Sequence, residues 1–349
     1  MTPAPDPVLF RVAAGAQNGL GHLTRCLSLA AALKERGAGC IMVMSGPEPR
    51  MADLVKKSGA SLEALPAGLS PAQDLAATQD CARRAGAGAA VLDGYIFNQE
   101  YLEGLDRTLP TLWLDDGVVP LKPSCRLVLN QNAFAAEEQY QPPRHTKLLL
   151  GLDYVLLRPQ FARARQALPR RHPPRTRRLL ISFGGADPNA MAAYALTALE
   201  ACQGDYQVQM VLGSMDGPRQ AAQKAADASR HQVECLLGVE DMAELIGGAD
   251  MALSGSGVTG YEMLCLGLPM VVVTPVDNQL RISQELERRS LIQHLGWWQD
   301  VSQSQIASAA DDLAQDADTR KRLSGAGMAA VDGLGAGRVA SELLQIMAE

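Results

Sequence analysis

Several things are scarce in this chain, and each scarcity removes a class of protein. Only 5 Phe, 3 Trp and 7 Tyr occur in 349 residues. A β-sandwich builds its strands from aromatic and β-branched residues, so a chain rich in Ala, Gly and Leu suits close-packed helices on a parallel sheet better. No apolar run approaches the roughly 20 residues needed to span a bilayer, so no membrane span is expected. The opening MTPAPDPVLFRV has no basic stretch followed by a long apolar run. It therefore does not read as a secretory leader, and the expected location is cytoplasmic. Positive charge is not in excess: the net charge of −6 offers no general attraction to phosphate polymers, and nucleic acid is not an expected partner. The seven cysteines (Cys26, Cys40, Cys81, Cys125, Cys202, Cys235 and Cys265) are odd in number and form no CxxC pair. They read as free, buried thiols of a reducing compartment.

What is present is an ordinary folded composition, 47% hydrophobic and 20% charged, in a chain long enough for two domains. Strand and helix patterns alternate from the start. VLFRVAA (8–14) reads as a strand and LTRCLSLAAALKERG as a helix ending at Gly37; further strands are read at 40–45, 89–95, 111–116, 126–132 and 147–154. A basic, Pro-rich stretch, LPRRHPPRTRR (168–178), interrupts the series and reads as a solvated linker. The scheme then restarts with RLLISFGG (178–185), followed by strands at 206–213, 233–239, 251–257 and 269–275, with helix throughout from about 303. The expected class is α/β, with Rossmann-like domains over 1–165 and 179–349, a linker over 166–178, and last helices free to pack back on the first domain. The two domains are expected to face each other across a cleft. Ligands in such sheets bind beyond the carboxyl ends of the strands, so the chemistry is sought in the loops there.

Four loops carry candidates. In GAQNGLGHLTRC (15–26), Gly19 and Gly21 permit a tight turn, and His22 stands at the first turn of the helix. An imidazole there can act as a general base, or it can merely cap the helix. SFGGADPNA (182–190) is a strand, two glycines and a helix start, able to cradle a phosphate on backbone amides or simply to turn. SGSGVTGYEMLCLGLP (254–269) places glycines and hydroxyls at a helix N-terminus, an arrangement suited to an anion. Glu262, within two turns of that start, can accept ribose hydroxyls or serve as a solvated glutamate. TPVDNQ (274–279) brings Asn278 and Gln279 to a strand end, where amides can orient a sugar or close a turn. Asp115 and Asp116 have no further ligands at a recognisable metal spacing and read as a strand-end turn, so no metal is expected.

In this order, GLGHLTRCLSLA (19–30), VLDGYIFNQEYL (91–102), WLDD (113–116), NQNA (130–133), LLGLDYVLLRPQF (149–161), LISFGGADP (180–188) and the run from DMALSGSG to DNQ (250–279) resemble one family. It is the UDP-2,4-diacetamido-2,4,6-trideoxy-β-L-altropyranose hydrolases of pseudaminic acid biosynthesis, itself similar to the GT-B glycosyltransferase that completes lipid II. The resemblance implies a GT-B fold with the catalytic side in the first domain and UDP on the second. It also implies inverting cleavage of the C1–O bond of a UDP-sugar, with no metal or cofactor. His22 would activate water, and Tyr95 and Asn278 would position water and sugar, with Asp93 in support. Gly184, Gly185, Ser256, Gly257 and Thr259 would face the diphosphate and Glu262 the ribose; Arg11 begins the family's Arg-x-Asp-x-Ser pattern. Two departures stand out. Ala13 and Gly15 replace that pattern's polar residues, and Gly94 replaces the histidine of an Asp-His-Tyr triplet; both bear on which sugar fits. Two rivals remain on the same sequence: a GT-B transferase that delivers the sugar to an acceptor other than water, and a non-catalytic nucleotide-sugar-binding subunit of a glycan-assembly complex. Protein partners are not legible.

Overall fold

The computed structural model describes residues 5–13, 21–117, 121–167, 176–185, 187–213 and 215–349. It divides into two units, Met1–Pro159 with Gly333–Glu349, and Gln160–Asp332. The first unit runs β1 (Val8–Val12), α1 (Gly21–Lys34), β2 (Cys40–Ser45), α2 (Pro49–Ser58), β3 (Ser61–Leu65), α3 (Pro71–Ala85) and β4 (Ala89–Asp93). It continues with α4 (Gln99–Asp106), β5 (Thr111–Leu114), β6 (Leu127–Asn130) and β7 (Lys147–Leu150). The second contains α5 (Pro159–Ala167), β8 (Arg178–Ser182), α6 (Met191–Leu199), β9 (Gln207–Leu212), α7 (Asp216–Ala228), β10 (Gln232–Leu237) and α8 (Met242–Gly248). Then follow β11 (Met251–Ser254), α9 (Val258–Cys265), β12 (Met270–Thr274), α10 (Leu280–Arg288), β13 (Gln293–Trp297), α11 (Gln303–Gln315) and α12 (Ala317–Ala330). The last helix, α13 (Gly335–Ala348), returns to the first unit.

Each unit holds one parallel sheet, in the order β3-β2-β1-β4-β5-β6-β7 in the first and β10-β9-β8-β11-β12-β13 in the second. Helices cover both faces of such a sheet, so its central strands are buried on both sides and read as continuous apolar runs. β1, β4 and β12 are buried at every residue. β3 and β10 lie at the edges and are buried at few positions. That is why SLEAL (61–65) carries no strand signal in the sequence.

The chain passes to the second unit at residue 160 rather than beyond 165, and most of the expected linker lies outside the described residues. Arg165 Nη1 on α5 donates to the carbonyl of Cys265 at 2.9 Å, which ties that helix to the second unit. α13 is held in the first unit by apolar packing of Val339, Ala340 and Leu343 in the same core as Leu29 and Leu33 of α1. Gly335 starts it because a Cβ there would overlap the backbone of Tyr154 and Val155. The expected strand 147–154 stops at Leu150, where Gly151 takes φ +87° and the chain enters a single 3-10 turn. α3 begins at Pro71, because Ser70 and Gln73 close a capping box. All seven cysteines are free; Cys40 and Cys235 are half-buried and the other five buried.

One residue of β1 breaks the apolar rule. Arg11 is fully buried, and all five of its N–H donors are used. Nε and Nη2 hold both oxygens of Asp74 at 2.8 and 2.5 Å, and Nη2 also reaches Ser45 Oγ at 2.7 Å. Nη1 donates to the carbonyls of Val12 and Val43 at 3.1 and 3.3 Å. Burial works to raise the Asp74 carboxyl, but Arg11 and the Tyr101 hydroxyl hold it below the ordinary carboxylate range. Arg11 is thus a structural clamp between β1 and α3, with no donor left for a ligand. Removing one partner leaves the other charge buried and alone, so Arg11→Met or Asp74→Ala should cost about 3–5 kcal/mol in urea-induced unfolding. A loss below about 1 kcal/mol would show that the pair does not hold these elements together.

Candidate active site

In the first sheet the chain leaves β1 toward β2 and returns on the other side of β1 as β4, so the carboxyl ends of β1 and β4 flank a topological switch point. Three segments converge there: the start of α1, the end of β4 at Asp93, and the residues after β5. Within α1, His22 and Arg25 are three residues apart and share a face. His22 Nδ1 lies 2.7 Å from Asp93 Oδ1. Arg25 donates to the same carboxylate, from Nη2 to Oδ1 at 2.5 Å and from Nε to Oδ2 at 2.7 Å, and the Cys26 thiol reaches Oδ2 at 3.3 Å. Arg25 Nη2 also stands 3.0 Å from His22 Nδ1. Both nitrogens aim hydrogens at Asp93, so this is a close approach of two donors. The tautomer that satisfies Asp93 carries its hydrogen on Nδ1 and leaves Nε2 as an acceptor. Nothing among the described residues bonds to Nε2.

Asp93 has no solvent exposure. Burial alone would raise its carboxyl, but the charge and hydrogen bonds of Arg25, followed by the His22 bond, hold it well below the usual carboxylate range. Arg25 continues to Asp116, Nη1 to Oδ1 at 2.6 Å and Nη2 to Oδ2 at 3.0 Å. The Tyr95 hydroxyl donates to Asp116 Oδ2 at 2.9 Å, and its ring stands edge-on to His22 with centroids 4.8 Å apart. Asp115 takes the part of a strand-end turn, accepting the Gly117 amide at 2.7 Å and the Tyr140 hydroxyl at 2.5 Å. Asp116 does not; it belongs to the cluster. Among the described residues no group of three or more His, Cys, Asp or Glu side chains is arranged to hold a metal ion.

The two substituted positions meet beside this cluster. Gly94 takes φ +146°, and a Cβ on it would overlap Ala13 Cβ and press on Phe97. A side chain at 94 therefore requires a different backbone or a smaller neighbour. Gly15 and Gly19 lie outside the described residues. Gly21 opens α1 and is exposed.

In the second unit the switch point falls between β8 and β11, and the two glycine loops follow those strands. Gly184, at φ +88°, and Gly185 are exposed at the end of β8. The amides at the start of α6 are taken by Asp187, whose carboxylate accepts from Met191 and Ala192 at 2.8 and 3.0 Å. At α9 the N-cap is Gly257, which has no side chain to cap with. The Ser256 hydroxyl lies in a buried chain, donating to the Gln279 carbonyl at 3.1 Å and pairing with Ser283 at 2.7 Å; Ser283 accepts from Thr274 at 2.8 Å. Gln279 Oε1 in turn accepts the Ser256 amide at 2.8 Å, so this side chain fastens one loop to the other. Asn278 is exposed in a 3-10 turn, Thr259 is half-buried, and Glu262 is buried in the second turn of α9.

The structure thus gathers His22, Asp93 and Tyr95 at one sheet edge, and Gly184, Gly185, Ser256, Gly257, Thr259, Glu262, Asn278 and Gln279 along the loops of the other unit. Arg11 is set apart in its own buried clamp. Sequence reasoning missed Arg25 and Asp116. The available signal was an arginine within the apolar face of α1, between the buried Leu23, Cys26 and Leu29.

The chain has a GT-B fold, with two Rossmann-like domains. It aligns over 97% of its length with MurG of Acinetobacter baumannii and covers 99% of that chain, at TM-score 0.67 and 14% identity. It aligns likewise with the UDP-GlcNAc 2-epimerase of Neisseria meningitidis, covering 97% of this chain and all of that one at TM-score 0.66 and 11% identity. In sequence it is 27% identical over 201 residues to the spore coat polysaccharide biosynthesis protein SpsG of Bacillus subtilis, 57% of this chain. That match spans 58% of the length of SpsG. No protein-family model matches the chain. No helix among the described residues is long and apolar enough to cross a membrane.

Asp187 gives a pH prediction. Burial pushes its carboxyl up to about 6, against the pull of two backbone amides. A carboxyl raised on folding binds its proton more tightly in the folded state, so its contribution is full below the unfolded value of about 4 and is lost as pH rises through about 6. Asp187→Asn should flatten the thermal-midpoint profile between pH 4 and 6. An unchanged slope there would remove Asp187 as its source.

Proposed function

We propose that the chain is a nucleotide-sugar hydrolase acting on a UDP-linked 2,4-diacetamido-2,4,6-trideoxy sugar, in the synthesis of nonulosonic acids such as pseudaminic acid. The observation that carries this reading is the His22–Asp93 pair. A carboxylate with no exposure holds Nδ1 as donor, which leaves Nε2 able to accept a proton from water. As water attacks C1, its proton passes to Nε2, the C1–O bond to the diphosphate breaks, and UDP departs with the bonding electrons, inverting the anomeric centre. Tyr95, held on Asp116 beside the imidazole, orients the water. In the second unit, Gly184, Gly185 and the backbone from Gly257 through Thr259 receive the diphosphate. Glu262 is assigned to the ribose, and Asn278 and Gln279 to the sugar. Ser256, whose amide and hydroxyl are both engaged within the protein, is left out of that contact. The seven sequence motifs, the fold shared with proteins of nucleotide-sugar chemistry, and the similarity to SpsG support the reading together.

A glycosyltransferase would use the same donor loops, and the solved structures of this fold include glycosyltransferases. The difference lies in the nucleophile. A binding subunit without catalysis has no use for a histidine tautomer fixed by a buried carboxylate.

Incubation with the UDP-linked 2,4-diacetamido-altrose, without acceptor, should release UDP with an inverted anomeric centre, followed by NMR. His22→Ala should lower that turnover on the order of a hundredfold or more while leaving UDP affinity nearly unchanged. EDTA should have no effect, since no step requires a metal. UDP release only on addition of a sugar or lipid acceptor would replace the hydrolase with the transferase.

A further inference from the structure

Arg25 connects every charged group of the first unit's cluster. Its guanidinium grips both oxygens of Asp93 and both oxygens of Asp116, and through Asp116 it sets the Tyr95 hydroxyl that stands beside His22. The residue is 6% exposed, so these contacts are made largely out of water. Among the described residues, the groups facing His22 and Arg25 come from α1, β4 and the segments that follow β4 and β5. Asp93 ends β4, Tyr95 follows it, Cys26 lies on α1, and Asp116 follows β5. Asp115 stands next to Asp116 and is engaged by the Tyr140 hydroxyl.

With the imidazole neutral, the carboxylates of Asp93 and Asp116 and the guanidinium of Arg25 leave one net negative charge. Without Arg25 the imidazole would face two uncompensated carboxylates. Opposite charges within about 4–6 Å favour the charged form of a titrating group. That charge favours the protonated form, in which Nε2 carries a hydrogen and cannot accept one. Without Asp116, the guanidinium and Asp93 cancel, and the net negative charge that favours a protonated imidazole is gone.

We propose that Arg25 is a positioning residue for the His22 base: it presses Asp93 against Nδ1 and cancels one of two neighbouring carboxylates, so that Nε2 remains an acceptor. The proposal rests on His22 being the base of the reaction read above. Loss of Arg25 breaks both bridges and loss of Asp116 breaks one, so a scaffold role alone would disturb the imidazole in both variants without giving them opposite signs. An electrostatic role makes them opposite.

The experiment follows the His22 imidazole by NMR in substrate-free protein labelled at histidine, with the resonance assigned by its absence in His22→Gln. Arg25→Gln should move the His22 titration midpoint up by about one pH unit or more. Asp116→Asn, nearly isosteric, should move it down. Arg25→Lys, which keeps the charge, should stay close to the parent. The acid limb of acceptor-free UDP release should move in the same directions. Shifts of the same sign in Arg25→Gln and Asp116→Asn, or no shift in either, would overturn the proposal. If circular dichroism shows Arg25→Gln to be unfolded, the sign for Asp116→Asn decides: an upward or absent shift overturns it. The two readings fail separately. A titration that behaves as expected in a protein that releases no UDP retires the hydrolase alone. A flat titration with His22-dependent UDP release retires the role of Arg25 alone.

Discussion

A carboxylate carried out of water on a central strand is expensive unless its lone pairs are filled and its charge is met. Asp93 is such a group, and the first unit's cluster is built around meeting its demands. Two guanidinium hydrogens, an imidazole hydrogen and a thiol converge on its two oxygens. Each requirement fixes something else. Satisfying Asp93 fixes the rotamer of Arg25, which then has donors directed at Asp116; Asp116 holds Tyr95 edge-on to His22. The His22 tautomer follows from the same demand. The orientation of the imidazole is thus a consequence of how β4 ends.

The comparison with Arg11 and Asp74 separates structure from chemistry. Both are buried arginine–aspartate pairs at the carboxyl end of a central strand. Around Arg11 every donor is matched, by Asp74, Ser45 and two carbonyls, and Tyr101 fills Asp74 further. Such a saturated pair has nothing to offer a ligand, and removing it affects stability. Around Arg25 the network ends at His22, whose Nε2 bonds to nothing among the described residues. Burial and charge are alike in the two pairs; the unspent hydrogen-bonding capacity distinguishes them.

The same contrast explains what could be read from the sequence. The central strands were legible because burial on both faces makes them continuous apolar runs, and His22 because it opens a helix beside glycines at a strand end. The edge strand Ser61–Leu65 was not, since its exposed residues show neither run nor alternation. Nor was β13, whose residues are all half-buried. Arg25 was hidden because its partners lie 68 and 91 residues away, on strands whose adjacency exists only after the sheet has formed. Arg11 stood out as an early charged residue in a family-like pattern, but its partner Asp74, 63 residues on, turns that charge inward. A charge within an apolar segment signals a buried pair; which partner completes it depends on strand order. The small residues at 13 and 94 were legible as departures, while their mutual contact required the positive φ of Gly94.

The two switch points differ in charge, and that difference constrains the proposed reaction. The cluster of His22, Arg25, Asp93 and Asp116 carries net negative charge when the imidazole is neutral, whereas the loops at Gly184–Gly185 and Gly257–Thr259 carry no charged side chain. A diphosphate placed on the first would meet like charge in a poorly solvated setting; on the second it meets the start of α9. The developing positive charge at an anomeric carbon has the opposite preference. An oxocarbenium-like centre is stabilised by the carboxylates that would repel the leaving group. In the proposed reaction, proton transfer and cation stabilisation are therefore assigned to residues of the first unit and anion departure to those of the second. The amides at α6 are already occupied by Asp187, which leaves α9 as the helix start suited to the phosphate charge.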